Sequence, residues 1–124
     1  MAEITVDTWL YGDLARYGAE GKQSGFANLH VVLPQGSSIA DLLAFLHMPT
    51  EERGITFING KLSALPGIQP DLGYVLSDGD RVAFFHLKSM WPFQYRHGAT
   101  MIAELSAQVQ ADLRHSYQTK GKDQ

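Results

Sequence analysis

One strongly amphipathic helix stands between stretches with the alternating pattern of strands, and this constrains the fold more than any other feature. The helix is "GSSIADLLAFLHM", residues 36–48. Its apolar residues recur at spacings of three and four and form one stripe: Ile39, Leu42, Leu43 and Leu46. Ser37 or Ser38 is expected to cap its start, with Asp41 at the capping-box position, and Pro49 is expected to stop it. A single apolar stripe predicts a helix that packs on a sheet.

The stretches before the helix supply two strands of such a sheet. In "EITVDTWL" apolar and polar residues alternate with a period of two, which is typical of a strand with one buried face. "FANLHVVLP" repeats the pattern and is expected to pair back on the first strand. Between them, "YGDLARYGAEGKQSG" is polar and glycine-rich, and it predicts a loop with one helical turn at residues 13–17.

The stretch after the helix supplies the remaining strands. "GITFINGKLS" predicts a hairpin, because Asn59-Gly60 suits the positive backbone angles of a tight turn. "ALPGIQPDLGYVL" is expected to be an irregular connection, "SDGD" a turn and "RVAFFHL" the last strand. This order of strand, strand, helix, strand, short strand and strand predicts an α+β roll, with a mixed sheet and one main packed helix.

Composition restricts the class of protein. A chain of 124 residues with 44% apolar residues fits one domain with one core. Its net charge of −3 gives no reason to expect binding to nucleic acid or to an anionic membrane, and the lack of cysteine excludes disulfides and thiolate sites. No signal-peptide pattern and no long apolar run is present, so a cytoplasmic protein without a membrane segment is expected.

No motif of a stand-alone enzyme or of a metal site stands out. The chain lacks a serine elbow, a phosphate-binding glycine loop and a helical His pair, so neither catalysis nor a metal or cofactor is expected. Asp78 and Asp80 flank Gly79 and are expected to form a turn rather than a catalytic carboxylate pair. A site joining His86 and His97 to these aspartates is the alternative, and it lacks any ligand spacing typical of metals.

Four motifs in order carry a resemblance to a known family. They are "LYGDLARY", "LPQGSSIADLLAFL", "FINGK" and "LSDGDRVAFF". Together they resemble the MoaD/ThiS type of ubiquitin-like (β-grasp) sulfur carriers, which include the small subunit of molybdopterin synthase. The resemblance implies a β-grasp domain over residues 1–89, in the setting of sulfur transfer or molybdenum/tungsten cofactor assembly. It also implies a partner: an adenylating (E1-like) enzyme or a molybdopterin-synthase-like large subunit.

The chain departs from this family where the last strand ends. The family's carriers finish in Gly-Gly, whose carboxylate is adenylated and converted to a thiocarboxylate, but here the corresponding position holds Met90-Trp91 and the sequence runs on to "GKDQ". One interpretation is that the extension is trimmed, with Gly98 as the candidate new terminus. The preferred interpretation is that the domain acts by protein–protein contact. A third is an adaptor or an accessory subunit of a metalloenzyme.

The extension, residues 90–124, holds an aromatic segment and a predicted helix. The aromatics either cover the chain's own domain or anchor a partner, and the predicted partner-binding residues are Phe84, His86, Trp91, Phe93, Tyr95 and Arg96. "ATMIAELSAQVQADLRHSY" predicts a helix with a narrow apolar stripe: Ile102, Leu105, Val109 and Leu113. Such a stripe packs on the domain, pairs with a second copy of the chain, or docks in another protein.

Overall fold

A computed structural model describes residues 2–23, 25–88 and 100–110 of the chain. Within them the fold is α+β, with a mixed sheet of six strands. The strands are β1 (Glu3–Tyr11), β2 (Lys22–Gln23), β3 (Phe26–Pro34), β4 (Arg53–Ile58), β5 (Lys61–Ala64) and β6 (Arg81–His86). The α-helices are α1 (Ile39–Leu46) and α2 (103–110), and 3-10 segments cover Gly12–Gly21, Thr50–Glu52 and Pro70–Gly73.

The strands lie in the order β2-β3-β1-β6-β4-β5. The first and last strands of the body, β1 and β6, run parallel at the centre, and every other neighbouring pair is antiparallel. β1 and β3 pair over their whole length, from Glu3 opposite Pro34 to Tyr11 opposite Phe26. The expected mixed sheet and the pairing of the first two long strands are therefore confirmed.

The main core lies between α1 and one face of the sheet, called here the inner face. The four stripe residues of α1 are all buried. They meet the inward side chains of the central strands, which include Ile4, Val6, Leu10, Val82 and Phe84. The opposite side of the sheet is called the outer face. This division confirms the prediction that one helix packs on a sheet whose strands each turn one face inward.

Capping residues set both ends of α1. The amide of Asp41 donates to Ser38 Oγ (3.3 Å), and the amide of Ser38 donates to Asp41 Oδ2 (2.8 Å), which confirms the capping box. The helix ends at Leu46 because His47 takes a left-handed conformation (φ 57°), and its amide bonds back to the last turn. Pro49 lies beyond this cap, so the expectation that Pro49 ends the helix is corrected.

The sequence predicted the turn between β4 and β5 correctly, but it did not predict the structure of the segment that follows β1. Asn59 (φ 51°) and Gly60 (φ 81°) form the tight turn between β4 and β5, as expected. By contrast, the Gly12–Gly21 segment is a ten-residue 3-10 stretch rather than a loop with one turn. Leu14 and Ala15 within it are buried, so tertiary packing orders a segment that its polar composition made look irregular.

The described part of the extension packs on the outer face of the body. The amide of Leu62 donates to Thr100 O (2.7 Å), and the amide of Ile102 donates to Leu62 O (2.9 Å), so this stretch lies along the edge of β5. Ile102 and Leu105 are buried in a second small core, against Ile55, Leu62 and Leu65. Of the three expected uses of the helix stripe, packing on the domain is the one found for these residues; Leu113 lies outside the described residues.

Candidate functional site

Five aromatic side chains form a continuous band across the outer face of the sheet. Tyr11 stacks on Phe85 with ring centroids 4.5 Å apart, and Trp9 stacks on Phe26 at 5.8 Å. Phe57 meets Phe85 edge to face at 6.0 Å. All five remain partly exposed. This aromatic band (Trp9, Tyr11, Phe26, Phe57 and Phe85) joins strands β3, β1, β6 and β4, and it is the largest set of mutually contacting aromatic side chains in the described part of the chain.

Strand alternation and register assemble the band. On β1 the inward residues Thr8 and Leu10 are fully buried, so Trp9 and Tyr11 point outward between them. Tyr11 lies opposite Phe26 in the antiparallel pair and opposite Phe85 in the parallel pair. Three strands distant in sequence therefore bring their aromatic residues to one place. Aromatic residues at the outward positions of "TWLY" are the signal that sequence reasoning missed, because such positions are normally polar.

A charged group borders the band. Asp7 accepts a hydrogen bond from Asn28 Nδ2 (2.8 Å) and pairs with Arg81 Nε (3.2 Å), whose guanidinium lies 5.9 Å from the Trp9 ring centroid. Partial burial alone would raise the pKa of Asp7. Hydrogen bonds from Asn28 and Arg81 and the charge of Arg81 outweigh this effect, so the pKa of Asp7 lies below its ordinary value. The band thus has an apolar centre and a charged rim.

The end of β6 carries a second, polar cluster. His86 Nδ1 accepts the amide hydrogen of Lys88 (3.1 Å), and His86 Nε2 lies 4.0 Å from Glu52 Oε1. Glu52 also accepts hydrogen bonds from the Tyr17 hydroxyl (2.5 Å) and from the Arg16 guanidinium. These two hydrogen bonds, with the Arg16 and His86 charges, lower the pKa of Glu52 although partial desolvation acts against them. The cluster fixes the strand end from which the extension leaves the body.

A third polar group is fully internal. Arg53 donates two hydrogen bonds of 2.8 Å to Asp71, and both side chains are 0% exposed. Ser63 Oγ donates to Asp71 Oδ2 (2.9 Å), and Arg53 Nε donates to Thr50 Oγ1 (3.1 Å). Arg53, Asp71 and Ser63 are fully buried and bond to one another, so they tie β4, β5 and the Pro70–Gly73 segment together and offer no group to a substrate. Sequence reasoning missed it because neither residue belongs to a recognisable motif.

The residues predicted to bind a partner fall into three groups. Phe84 is fully buried in the main core, so its selection as a partner-contacting residue is corrected: strand alternation turns Phe84 inward and Phe85 outward. His86 is largely buried (9% exposed) in the cluster at the end of β6. The rest of the predicted set lies outside the described residues: Trp91, Phe93, Tyr95, Arg96 and the candidate terminus Gly98.

Asp78 and Asp80 accept backbone hydrogen bonds in and beside the turn that precedes β6. Asp78 Oδ1 accepts from the amide of Thr5 (2.8 Å), and Asp80 Oδ2 accepts from the amide of Ser77 (2.8 Å). They lie at the start of β6 and His86 lies at its end, so the alternative site joining them to His86 is not formed. Among the described residues, no group of three or more His, Cys, Asp or Glu side chains is placed to hold a metal ion.

Comparisons with known proteins give no relative for this chain. No family model matches it, and no curated protein or solved structure matches it significantly. Within residues 2–23, 25–88 and 100–110, no helix has both the length and the apolar character needed to cross a membrane. The interpretation of this protein therefore depends on its own geometry.

Proposed function

We propose that the body of this protein is a β-grasp domain of the MoaD/ThiS type. The sheet order supports this assignment, because parallel β1 and β6 lie side by side at the centre and hairpins flank them on both sides. The single helix α1 crosses the inner face after the first hairpin. The short Asn59-Gly60 hairpin and the Asp78-Gly79-Asp80 turn also fall where the resemblance expects them.

The proposed function is protein–protein contact in sulfur transfer or in molybdenum/tungsten cofactor assembly. The aromatic band is the observation that carries the proposal. Partly exposed, stacked aromatic residues with a charged rim are the side chains enriched at binding hot spots. The partner is an adenylating enzyme or a molybdopterin-synthase-like large subunit. In this proposal the protein binds its partner and does not itself catalyse the reaction.

The anchored extension favours contact over carrier chemistry. A carrier needs a slim, free end after the last strand so that the end can enter the activating enzyme. Here the described part of the extension lies on the body: Thr100 and Ile102 bond to Leu62, and Leu105 is buried. A carrier activated by trimming at Gly98 remains the alternative, and an adaptor or accessory subunit of a metalloenzyme is another.

A binding assay tests the proposal. The purified chain is mixed with a purified adenylating enzyme of this pathway and, separately, with a molybdopterin-synthase-like large subunit. Trp9→Ala combined with Phe85→Ala is expected to weaken binding at least about tenfold, since truncating a central aromatic hot spot costs about 2 kcal/mol or more. Phe45→Ala is the matched control, because this ring is 55% exposed on α1 and lies away from the band. Equal affinity of all three proteins, or no binding to either candidate partner, would refute the proposal.

Mass analysis distinguishes a protein that only binds its partner from a sulfur carrier. The chain is analysed after incubation with ATP, the adenylating enzyme and a sulfur donor. An unmodified chain that still binds its partner supports the contact function. A chain shortened to Gly98 that gains the mass of a thiocarboxylate would instead establish the carrier alternative.

A further inference from the structure

We propose that His86 is a pH-sensitive switch at the end of β6. In its neutral form the imidazole holds the amide of Lys88, and on protonation it releases that amide and pairs with Glu52 instead. The switch lies on the inner face of the sheet, opposite the aromatic band, and so goes beyond the proposed partner contact. Two contacts of the imidazole carry the proposal, one through each ring nitrogen.

Strand alternation places His86 on the inner face. It follows Val82 and Phe84 along the buried side of β6, and it is the last residue of that strand. Its side chain is only 11% exposed. Leu87 and Lys88 come next, just before the extension. His86 is therefore a largely buried, titratable group at the point where the last strand ends.

The bond to Lys88 identifies the neutral form of the imidazole. The amide of Lys88 donates to His86 Nδ1 (3.1 Å). A nitrogen that accepts a hydrogen bond carries a lone pair, so the proton of the neutral ring is on Nε2. Protonation adds a hydrogen to Nδ1, and both ring nitrogens are then donors. Because a backbone amide is always a donor, two N–H groups would face each other and the bond to Lys88 breaks.

Glu52 supplies the counter-charge for the protonated form. His86 Nε2 lies 4.0 Å from Glu52 Oε1. A charge that is largely buried needs a partner of opposite charge, and Glu52 meets this need within the fold. Histidine is also the side chain that ordinarily changes charge between about pH 5 and 8. Protonation therefore removes one contact of the ring and strengthens the other.

The segment that follows β1 adds one competing cation. The Arg16 guanidinium bonds to the same carboxylate oxygen that faces His86, and the Tyr17 hydroxyl donates to the other oxygen (2.5 Å). The Arg16 side chain is 48% exposed, so it is able to shift toward solvent, whereas the buried ring of His86 is not. Protonated His86 is thus expected to share Glu52 with Arg16.

The remaining charged groups around His86 do not compete for Glu52. Arg53 of β4 lies opposite His86 in the register, but its guanidinium is bonded to Asp71. Three further charged residues lie close in sequence to these groups and are exposed to solvent: Asp13, Glu51 and Lys88. Solvent and salt screen such exposed charges. The pair of His86 and Glu52 therefore sets the response of this strand end to pH.

The switch acts on one backbone group and leaves its neighbour in place. The amide of Leu87 donates to Glu52 O (3.0 Å), a bond that involves no titrating atom. The amide of Lys88 depends on the lone pair of His86. Protonation therefore leaves the chain fixed as far as Leu87 and frees the backbone of Lys88, from which the chain enters the extension.

Nuclear magnetic resonance of the isotope-labelled full chain tests the switch. While His86 is neutral, a scalar coupling across the hydrogen bond should connect its Nδ1 to the amide nitrogen of Lys88. The coupling should vanish as the ring nitrogen shifts show protonation. Over the same titration, protection of the Lys88 amide from hydrogen exchange, corrected for the intrinsic effect of pH, should fall about threefold to tenfold. The Leu87 amide is the internal control, and its protection should stay constant.

Two variants separate the proton from the acceptor. The side chain in His86→Asn accepts an amide two residues on and does not titrate, so protection of Lys88 should not change with pH. His86→Leu offers no acceptor, so protection should be low throughout. Circular dichroism checks that both are folded.

Any of four results overturns the proposal. They are no coupling in the neutral form, a coupling that survives protonation, a His86 that stays neutral until the chain unfolds, and an equal loss of Lys88 protection in His86→Asn. The first three are read from the wild type alone, so they hold even if a variant does not fold.

Discussion

The guanidinium of Arg53 and the carboxylate of Asp71 face each other in a two-point ion pair from which solvent is excluded on all sides. Arg53 begins β4, and Asp71 lies in the 3-10 segment between β5 and β6. Because Ser63 of β5 also donates to Asp71, the pair joins a long irregular connection to the hairpin beside it. These bonds join the connection to β4 and β5 in addition to its apolar contacts.

Breaking this pair on one side is expected to be costly. Asp71→Ala leaves a buried guanidinium without its counter-ion and should lower the free energy of unfolding by about 3–5 kcal/mol. The double variant Arg53→Met/Asp71→Leu removes both charges and should recover most of that loss. Urea denaturation measures both. Glu51→Ala is the control, because this exposed side chain lies outside the network and its loss should leave the unfolding midpoint almost unchanged. A mild effect of Asp71→Ala would show that the pair does not hold the connection.

Removing the main buried contact of α2 tests whether the extension is part of the folded body. Leu105 is 0% exposed against Leu62 and Leu65, so Leu105→Ala should lower the free energy of unfolding by about 2–5 kcal/mol. Thermal and urea denaturation provide the measurement. Glu104→Ala, at the neighbouring exposed position, should change little. If the two variants are equally stable, α2 does not pack on the sheet as described.

A substitution in the β4–β5 turn isolates the cost of its backbone conformation. Gly60 has φ +81°, and a Cβ there would meet nothing within 4 Å, so Gly60→Ala carries backbone strain without a clash. A loss of about 1–2 kcal/mol in the free energy of unfolding is expected. Gly73→Ala is the matched control, since that position is equally open and does not require a left-handed φ. Equal stability of the two variants would contradict the assigned turn.

The pH dependence of the stability should show the contribution of Glu52, which lies in the cluster at the end of β6. Hydrogen bonds from Tyr17 and Arg16 hold the pKa of Glu52 below its ordinary value of 4.5. A carboxylate with a lowered pKa in the folded state stabilises the fold fully above its unfolded pKa, and this contribution is lost as the pH falls through the folded pKa. Urea midpoints measured from about pH 6 down to about pH 3 should therefore decrease.

The variant Glu52→Gln should be less stable than the wild type near pH 6 and should show a flatter decline toward acid. Glu51→Gln removes a neighbouring exposed carboxylate and serves as the control, with a decline like that of the wild type. If the urea midpoint of Glu52→Gln declines with pH as steeply as that of the wild type, the ionised Glu52 carboxylate does not stabilise the fold.

Much of the fold followed from local patterns. Period-two alternation predicted β1 and β3, and the spacing of Ile39, Leu42, Leu43 and Leu46 predicted the buried side of α1. These predictions succeeded because each depends on neighbouring residues sharing one face of one element. The ten-residue Gly12–Gly21 segment was missed because its order comes from contacts with β3 and β1 rather than from its own sequence.

The candidate site was less predictable because it, too, is formed by contacts between elements rather than by neighbouring residues in the sequence. Sequence proximity to the end of β6 suggested Phe84, which the strand turns inward, whereas Phe85 joins the aromatic band. Trp9, Phe26 and Phe57 are far apart along the chain and gather only because four strands, β3, β1, β6 and β4, align in register. The set Trp91, Phe93, Tyr95 and Arg96 stays a prediction.

The sequence by itself determined where the helix and strands form, how α1 is capped and where the Asn59-Gly60 turn falls, since these depend on residues a few positions apart. Only the tertiary structure decided that Arg53 meets Asp71, that the aromatic band forms, and that Thr100 and Ile102 bond along the edge of β5. Those features depend on strand order and register, which bring together residues whose separation along the chain carries no information about their contact.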